Sequence, residues 1–246
     1  MRKERIDKLL VEKGIIQSRE RARAFIMAGK VMVKGQTIDK PGTKVEIGDE
    51  LQVKGSDQPY VSRGGIKLEG ALNAFGIDPT GMVAMDVGAS TGGFTDCILQ
   101  KGARRVYAVD VGYGKLAWKL REDPRVMNLE RRNARYLKRE EVPEEVDLIL
   151  IDASFISIEK VLPHLLDFMK KGSILVSLIK PQFEVGKGEV GKGGVVKDPL
   201  LHQRVIDRIS EFSEGLGLSV VGLTESPLLG PKGNKEFFIY LRKADL

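Results

Sequence analysis

Met85-Asp86-Val87-Gly88-Ala89-Ser90-Thr91-Gly92-Gly93-Phe94 is the stretch that decides the fold of most of this chain. It ends an apolar run, typical of a buried strand, in an acid and then turns through glycines into a segment with helical spacing of apolar residues. Glycines permit a tight turn and let a ligand approach backbone N–H groups at a helix start. The stretch therefore predicts a strand–turn–helix corner that can hold a nucleoside cofactor, with glycines that serve packing alone as the alternative.

The composition of this loop separates two kinds of cofactor. A pyrophosphate-binding loop has the pattern G-x-G-x-x-G, whereas Gly88 is followed by Ala89-Ser90-Thr91 before Gly92-Gly93. Asp86 just before the loop, and the absence of lysine within it, favour a cationic ligand such as S-adenosylmethionine. Asp110 ends the next apolar strand, where its carboxylate can accept hydrogen bonds from both ribose hydroxyls. With Asp110 included, the cofactor interpretation is the stronger one.

Composition and charge restrict the class of protein. The chain has 246 residues, a single cysteine (Cys97), which cannot form an internal disulfide, and no apolar run of membrane-spanning length. These features predict a soluble, cytoplasmic protein. Its net charge is +6, and residues 1–44 contain twelve Lys or Arg against five Asp or Glu. This surplus predicts a polyanionic partner for the N-terminal segment, although a solvated basic face is the alternative.

The N-terminal segment has the pattern of a small α+β module. Apolar spacing predicts one helix from Ile6 to Gly14 and a second that Ser18 caps and Gly29 ends. Alternating residues predict strands over 31–35 and 45–53. We expect one domain over residues 1–54, a polar linker over 55–62 and a second domain over 63–246.

This module resembles the S-four type of RNA-binding domain, first recognised in a bacterial small-subunit ribosomal protein. The matching segments are R-I-D-K-L-L, then S-R-E-R-A-R-A-F-I-M-A-G-K-V-M-V-K-G, and finally V-E-I-G-D-E-L. In that family a basic helix face contacts RNA backbone and shape. The resemblance implies RNA contacts at Arg5, Arg19, Arg21, Arg23 and Lys30.

The remainder of the chain alternates strands and helices, which predicts an α/β fold with a mainly parallel sheet covered on both faces. The expected strands are 83–87, 105–110, 126–130, 146–152, 173–179, 218–224 and 236–241. No helix separates the last two, so we expect these to run antiparallel to each other.

Four charged residues converge on the cofactor edge of this predicted sheet. Asp152 and Lys180 end the fourth and fifth strands, and ligands of such sheets bind beyond the carboxyl ends of the parallel strands. An antiparallel last strand brings its first residue, Glu236, to the same edge. Lys67 opens a helix that precedes the first strand and begins at that edge. Each residue alone reads as a solvated terminus; together they suggest a catalytic group.

Methylation of a hydroxyl is a reaction that such a group can perform. The hydroxyl must lose its proton as its oxygen attacks the sulfonium methyl in line, and this step needs a base. A lysine accepts a proton only in its neutral form, which desolvation, a second ammonium and the sulfonium charge favour, whereas Asp152 and Glu236 oppose that form but orient the amines. We therefore expect Lys180 to be the base and Lys67 to orient the hydroxyl.

Residues 61–241 resemble the FtsJ class of ribose 2′-O-methyltransferases, and with the N-terminal module the whole chain resembles the hemolysin A (TlyA) family of rRNA cytidine 2′-O-methyltransferases. The match rests on S-R-G-G-I-K-L at 62–68, D-V-G-A-S-T-G-G-F-T at 86–95, D-V-G-Y-G at 110–114, D-A-S-F-I-S at 152–157 and K-P-Q-F-E-V-G-K-G at 180–188. The family's Lys-Asp-Lys-Glu tetrad falls on Lys67, Asp152, Lys180 and Glu236. Its cofactor contacts fall, beside Asp86, on Gly88, Ala89, Ser90, Thr91, Gly92, Gly93, Phe94, Asp110 and Asn133. The resemblance thus implies S-adenosylmethionine as cofactor, ribosomal RNA or a ribosomal subunit as partner, and no metal. Because the family's dual-target members carry a C-terminal extension that this sequence lacks, we expect large-subunit rRNA as the substrate.

Rival functions make different demands on the sequence. A non-catalytic RNA-binding or ribosome-assembly factor could have lost tetrad residues, and all four are present. A membrane-acting haemolysin would show a spanning or strongly amphipathic apolar segment. A base methyltransferase would normally show an aromatic–proline dipeptide after the fourth strand, where this chain has Asp152-Ala153-Ser154-Phe155. The Gly- and Lys-rich segment 183–197 is predicted to be a mobile loop over the site, with a disordered surface loop as the alternative.

Overall fold

The computed structural model describes residues 3–16, 18–54, 59–186 and 188–244. Their contacts divide the chain into two compact units, Met1–Pro59 and Tyr60–Leu246. The division falls within the segment that the sequence predicts as a linker. Residues 55–58 of that linker lie outside the described residues.

Within its described residues, the small unit has two helices and two small antiparallel sheets. Its elements are β1 (Lys3–Arg5), α1 (Ile6–Glu12), α2 (Arg19–Met27), β2 (Val31–Val33), β3 (Gln36–Ile38), β4 (Lys44–Glu46) and β5 (Leu51–Val53). β1 pairs with β4, and β2 lies between β3 and β5. The predicted cap is present, since Ser18 Oγ accepts a hydrogen bond from the Arg21 N–H at 3.3 Å. Ile6, Leu10 and Ile26 are fully buried in the core of this unit.

The prediction of one strand over 45–53 is wrong, because a tight turn divides that segment into β4 and β5. The Asp49 N–H donates to the Glu46 carbonyl at 3.0 Å, and Asp49 Oδ2 accepts from the Glu46 N–H at 3.1 Å. The strand predicted over 31–35 is also shorter, since Lys34 and Gly35 have positive φ and begin a turn. Short polar side chains that hydrogen-bond to nearby backbone compete with strand formation in this way.

The large unit is built on a seven-stranded sheet with the order β11-β12-β10-β9-β6-β7-β8. Its strands are β6 (Val83–Val87), β7 (Arg105–Asp110), β8 (Val126–Glu130), β9 (Val146–Ile151), β10 (Met169–Ile179), β11 (Leu218–Glu225) and β12 (Phe237–Lys243). Its helices are α3 (Arg63–Phe75), α4 (Gly93–Gln100), α5 (Trp118–Arg121), α6 (Pro181–Glu184) and α7 (Pro199–Gly215). The pairs β6–β7, β7–β8, β6–β9 and β9–β10 are parallel, whereas β12 is antiparallel to both β10 and β11. The predicted mainly parallel sheet with an antiparallel last strand is confirmed.

Two layers of apolar side chains cover the sheet, one on each face. On the α3–α4 face, Leu68 and Ile98 from the helices pack with Ala84, Leu148 and Val176 from the strands. On the α7 face, residues such as Val205 and Ile209 pack with the alternate strand positions, which include Met85, Ile149 and Leu175. Because strand side chains alternate between faces, a residue's position in its strand determines the face of the sheet on which its side chain packs.

Among the helices of the described residues, none combines the length and apolarity needed to cross a membrane.

Candidate active site

The turn between β6 and α4 is in close contact with the carboxyl ends of the neighbouring strands. Gly88 has φ 88°, and a Cβ at this position would lie 2.6 Å from the Asp152 carbonyl oxygen. The Gly88 N–H donates to the Val109 carbonyl at 2.9 Å. Both the left-handed conformation and the close approach require glycine, so Gly88 fixes the path of the loop.

Two adjoining cavities open at this edge of the sheet. The first has a volume of about 490 Å³, with Asp110 and Asn133 in its wall. The second has a volume of about 430 Å³, with Lys67 and Asp86 in its wall. The residues that contribute to both walls are Gly88, Ser90 and Asp152. Each volume lies in the range of small-molecule sites.

Asp86 places a fully buried carboxyl group at the floor of the second cavity. Its Oδ2 accepts hydrogen bonds from the Thr95 N–H at 3.0 Å and from Thr95 Oγ1 at 2.6 Å. Its Oδ1 is buried and has no hydrogen-bond partner among the described residues. The pKa of Asp86 is raised to about 7, chiefly by burial; the charges of Asp152 and Asp110 act in the same direction, and the Thr95 hydrogen bonds oppose them.

Asp110 and Asn133 present oxygens at the first cavity. Asp110 Oδ2 accepts from the Ser90 N–H at 2.8 Å and its Oδ1 accepts from the Gly112 N–H at 2.6 Å. These two bonds hold the carboxylate in place and leave lone pairs for further donors, because an ionised carboxylate has about four acceptor sites. Asn133 Oδ1 accepts from the Arg135 N–H at 3.1 Å.

The four residues predicted to be catalytic form two ion pairs at this edge. Lys67 Nζ lies 2.5 Å from Glu236 Oε2, and Lys180 Nζ lies 2.5 Å from Asp152 Oδ1. Lys67, Lys180 and Glu236 are at least nine-tenths buried. Three of the four residues lie next to strand ends, at positions whose side chains point to the α3–α4 face of the sheet: Asp152, Lys180 and Glu236. Lys67 lies on α3, which covers the same face. Lys67 and Asp152 share the wall of the second cavity, so each pair contributes one residue to the same space, whereas Lys180 and Glu236 lie behind them and line neither cavity.

Further contacts hold each pair in place. Lys180 Nζ donates to Ser154 Oγ at 2.8 Å. Lys180 Nζ and Asp152 Oδ1 form an ion pair whose geometry does not meet the angles of a hydrogen bond. Within the described residues, Asp152 Oδ1 accepts no hydrogen bond. Glu236 packs against the backbone of Gly230, where a Cβ would lie 2.5 Å from the Glu236 Cδ. Arg63 donates to the Leu229 carbonyl at 3.0 Å and so ties the start of α3 to the turn that precedes Glu236.

Comparison with known proteins assigns the large unit to a family. Residues 60–243 match the FtsJ-like methyltransferase model, and residues 4–51 match the S4 domain model.

The chain belongs to the FtsJ-like methyltransferase family.

Several known proteins are similar to this chain over most of its length. The 16S/23S rRNA (cytidine-2′-O)-methyltransferase TlyA of Mycobacterium tuberculosis is 49% identical over 98% of this chain and 90% of its own length. The 23S rRNA (cytidine-2′-O)-methyltransferase TlyA of Campylobacter jejuni is 34% identical over 79% of this chain and 76% of its own length. A solved structure from Streptococcus thermophilus that bears a hemolysin name has a TM-score of 0.75 and 44% identity, over 100% of this chain and 90% of that one.

This FtsJ-like methyltransferase uses S-adenosylmethionine as its cofactor, and the residues of the site fit it. The sulfonium is a cation, and the buried Asp86 Oδ1 without a partner belongs to a carboxyl group whose ionised form such a ligand stabilises. The Gly88 turn offers backbone at close range, and Asp110 offers an acceptor for ribose hydroxyls. Of the predicted loop residues, Gly88, Ala89, Ser90, Thr91, Gly93 and Phe94 contribute to the cavity wall.

Gly92 is the exception among the predicted loop residues, because it does not line either cavity. It has φ 93°, and a Cβ there would lie 2.8 Å from Leu116 Cδ1 and closer still to Leu120. The structure therefore gives Gly92 a packing contact beneath the loop.

Sequence reasoning assigned no role to Ser154 or Gly230, although both contact the predicted catalytic residues. Ser154 lies two residues after Asp152, within the segment D-A-S-F-I-S that resembles the methyltransferase family. This position in the sequence could have indicated its contact with the site. Gly230 opens the turn-forming run G-P-K-G-N that precedes Glu236. Within the described residues, no group of three or more His, Cys, Asp or Glu side chains could hold a metal ion.

The predicted RNA contacts lie in the small unit and differ in their surroundings. Arg5 and Arg19 both donate to the buried Asp7, at 3.0 and 3.1 Å to its Oδ2. The Arg5 hydrogen bond is the largest cause that lowers the pKa of Asp7, to about 2. Arg23 and Lys30 are exposed, and Lys30 Nζ lies 5.3 Å from the centre of the Phe25 ring. Arg21 is partly buried, so the five residues do not form one uniform face.

The segment predicted to be a mobile loop over the site, 183–197, is tied at its far end to the turn before Glu236. The Val196 N–H donates to Asn234 Oδ1 at 3.0 Å, and Asn234 Nδ2 donates to the Gly194 carbonyl at 3.0 Å. Lys187, within this segment, lies outside the described residues. The prediction of its mobility remains a prediction.

Proposed function

We propose that this protein transfers the methyl group of S-adenosylmethionine to the ribose 2′-hydroxyl of a cytidine in ribosomal RNA. The observation that carries the proposal is the presence of two lysine–carboxylate pairs with largely buried lysines, each with one residue in the wall of a cavity beside the Gly88 turn and Asp86. A hydroxyl nucleophile needs a base and an orienting group. The two relatives named above supply the nucleotide, since both are named as rRNA cytidine-2′-O-methyltransferases.

We assign the role of base to Lys180. Its amine is fixed by Asp152 and by the Ser154 hydroxyl, so that its nitrogen is held in one position behind Asp152, which lines both cavities. S-adenosylmethionine, when bound, supplies an electrophilic methyl group. In its neutral form Lys180 accepts the 2′-hydroxyl proton as the oxygen attacks, and the proton ends on Nζ.

Lys67 has the complementary role of orienting the hydroxyl. Its ammonium is paired with Glu236 and nine-tenths buried, so it presents a donor of fixed direction to the substrate oxygen. Holding reacting groups in one geometry accelerates a transfer strongly, because the orientation is set before the reaction.

The S4 domain is assigned to RNA delivery, with the target cytidine turned out of its helix to reach the cavity. We keep residues 1–54 as the RNA-binding domain, 55–62 as the linker and 63–246 as the catalytic domain. The separation of contacts at Pro59 and Tyr60 supports this assignment.

Large-subunit rRNA is the substrate that we propose, because 23S rRNA is the target common to the names of both relatives. A ribosomal RNA substrate would also make the cytoplasm the place of action. Ribose methylation mapped in both subunits, from cells with and without this protein, tests the assignment. A methyl group that depends on the protein only in the small subunit would contradict it.

The test of the chemistry is methyl transfer to undermethylated ribosomal subunits by Lys180→Ala. General base catalysis contributes about 10²- to 10⁴-fold, so we expect a loss of this size in kcat with S-adenosylmethionine still bound. Lys171→Ala is the matched control, since Lys171 is an exposed lysine at the other end of the same strand. Full activity of Lys180→Ala would remove Lys180 as the base.

A further inference from the structure

Glu184 is a buried carboxylate to which the proposed chemistry gives no role. It ends α6, four residues after Lys180, and its side chain is 2% exposed. Its Oε1 accepts from the Ile158 N–H at 2.9 Å, and its Oε2 accepts from Ser157 Oγ at 2.7 Å. One carboxylate therefore joins the segment after Lys180 to the segment that carries Asp152 and Ser154.

Arg208 on α7 completes the charge balance of this carboxylate. Its Nη2 donates at 3.0 Å both to Glu184 Oε2 and to the Glu184 carbonyl. Its Nε lies 3.0 Å from Glu159 Oε1. A buried carboxylate is costly unless it is paired and hydrogen-bonded, and these contacts satisfy that need. Arg208 and Glu159 are the charged groups that face Glu184, and burial raises the pKa of Glu184 above its usual value.

The segment that Glu184 anchors is strained. Phe155, between Ser154 and Ser157, has φ 65°, a left-handed conformation that bulky side chains rarely adopt. Such a conformation persists only where the surrounding structure imposes it. Glu184 bonds to the chain directly after this turn, and Ser154 before it accepts the hydrogen bond from Lys180.

We propose that Glu184, paired with Arg208, is a positioning residue for methyl transfer, which holds the Asp152–Ser154 segment at the distance from Lys180 that the base requires. This inference rests on the proposed function of Lys180. It predicts that Glu184 acts on the chemical step and leaves cofactor binding unchanged.

The experiment compares the full-length wild type with Glu184→Gln, which keeps the size of the side chain and removes its charge. Small displacements of catalytic groups cost up to about a hundredfold in rate, and we expect kcat to fall at least about tenfold. We expect the KM for rRNA and the Kd for S-adenosylmethionine to stay close to those of the wild type, and the melting temperature to fall, because the new amide NH2 faces groups that donate to the carboxylate. Glu159→Gln is the matched control, because Glu159 pairs with the same arginine but does not accept hydrogen bonds from the Asp152–Ser157 segment within the described residues. It should keep the wild-type kcat.

A double-mutant cycle with Ser154→Ala separates positioning from general stability. If Glu184 acts through the contact of Ser154 with Lys180, the two losses in kcat are not multiplicative, since residues in one network couple. Multiplicative losses, or a Glu184→Gln enzyme with wild-type kcat, would overturn the proposal.

If Glu184→Gln does not fold, Ser157→Ala removes one donor to the carboxylate and keeps its charge. It should then lower kcat with an unchanged Kd for the cofactor, and a wild-type kcat would overturn the proposal instead. Wild-type protein that methylates no ribosomal RNA would refute the proposed function, whereas active wild type with an unaffected Glu184→Gln refutes only the role of Glu184.

Discussion

At the scale of the residue, Asp86 shows what position in the sequence can and cannot predict. Its place at the end of an apolar strand predicts an acid beside the cofactor loop, and the structure has it there. Its charge state depends on complete burial, on two bonds from Thr95 and on the proximity of Asp152 and Asp110. Asp110 and Asp152 lie at the ends of other strands, and the burial depends on the whole fold, so the pattern of residues alone could not indicate the raised pKa.

The pH dependence of stability tests this environment through Asp86→Asn. A carboxyl group with a raised pKa holds its proton more tightly in the folded state, so its contribution to the free energy of unfolding is greatest below about pH 4. That contribution falls as the pH rises and is lost above about pH 7. We expect the wild type minus Asp86→Asn difference to decrease over this range by up to about 4 kcal/mol, since one pKa unit corresponds to about 1.4 kcal/mol.

Denaturant unfolding without cofactor, at several pH values, measures this difference. Asp207→Asn, at an exposed aspartate on α7, is the control for the loss of one carboxylate at the surface. A constant difference between wild type and Asp86→Asn from pH 4 to pH 8 would contradict the raised pKa.

At the scale of the element, the sheet was predictable and the turns at its edge were not. Runs of apolar residues, separated by segments that contain glycine, predict all seven strands of the large unit. β12 is antiparallel to its neighbours, as expected. The tetrad follows from this topology, because strand ends meet at one edge. The contacts of Ser154, Gly230 and Glu184 depend on loop paths and side-chain rotamers, for which a single sequence has no periodic signal. For the same reason the sequence pattern does not indicate the turn at Asp49, and the strand predicted over 45–53 is two strands in the structure.

The turn before Glu236 provides a prediction at this scale. Gly230 has φ −69°, which any residue adopts, but a Cβ there would lie 2.5 Å from Glu236 Cδ. Gly230→Ala should therefore displace the Glu236 carboxylate and loosen its pair with Lys67, which lowers kcat by about tenfold or more. Overpacking of this kind costs about 1–3 kcal/mol in stability.

Methyl transfer and thermal melting are the measurements. Gly215→Ala is the matched control, because it lies in α7 with no atom within 4 Å of its added Cβ, and it should retain activity. Wild-type kcat in Gly230→Ala would show that the position of Glu236 tolerates the added methyl group.

At the scale of the whole molecule, the chain combines a basic S4 domain with a methyltransferase domain of nearly balanced charge. The sequence predicts this division from its charge distribution and its motifs. It does not predict that Arg5 and Arg19 hold the buried Asp7, since that contact needs the folded unit. Two of the five expected RNA contacts therefore also support the structure of the small unit.

Arg23 is the exposed position of α2 at which RNA binding can be tested in the full-length protein. If Arg23 contacts a phosphate, Arg23→Ala should weaken rRNA binding and reduce the slope of log affinity against log salt by about one. Filter binding at several salt concentrations measures both, with Lys171→Ala in the other unit as the control. An unchanged affinity and slope would remove Arg23 from the set of contacts.

The strand order of the large sheet also constrains how the site is assembled during folding. β12 is inserted between β10 and β11, so it pairs with two strands that both precede it in the sequence. Glu236 lies immediately before β12 and is therefore brought to Lys67 by that insertion. A partly folded chain in which β10 and β11 are formed but β12 is unpaired would lack the Lys67–Glu236 contact, so the complete site is a property of the finished sheet.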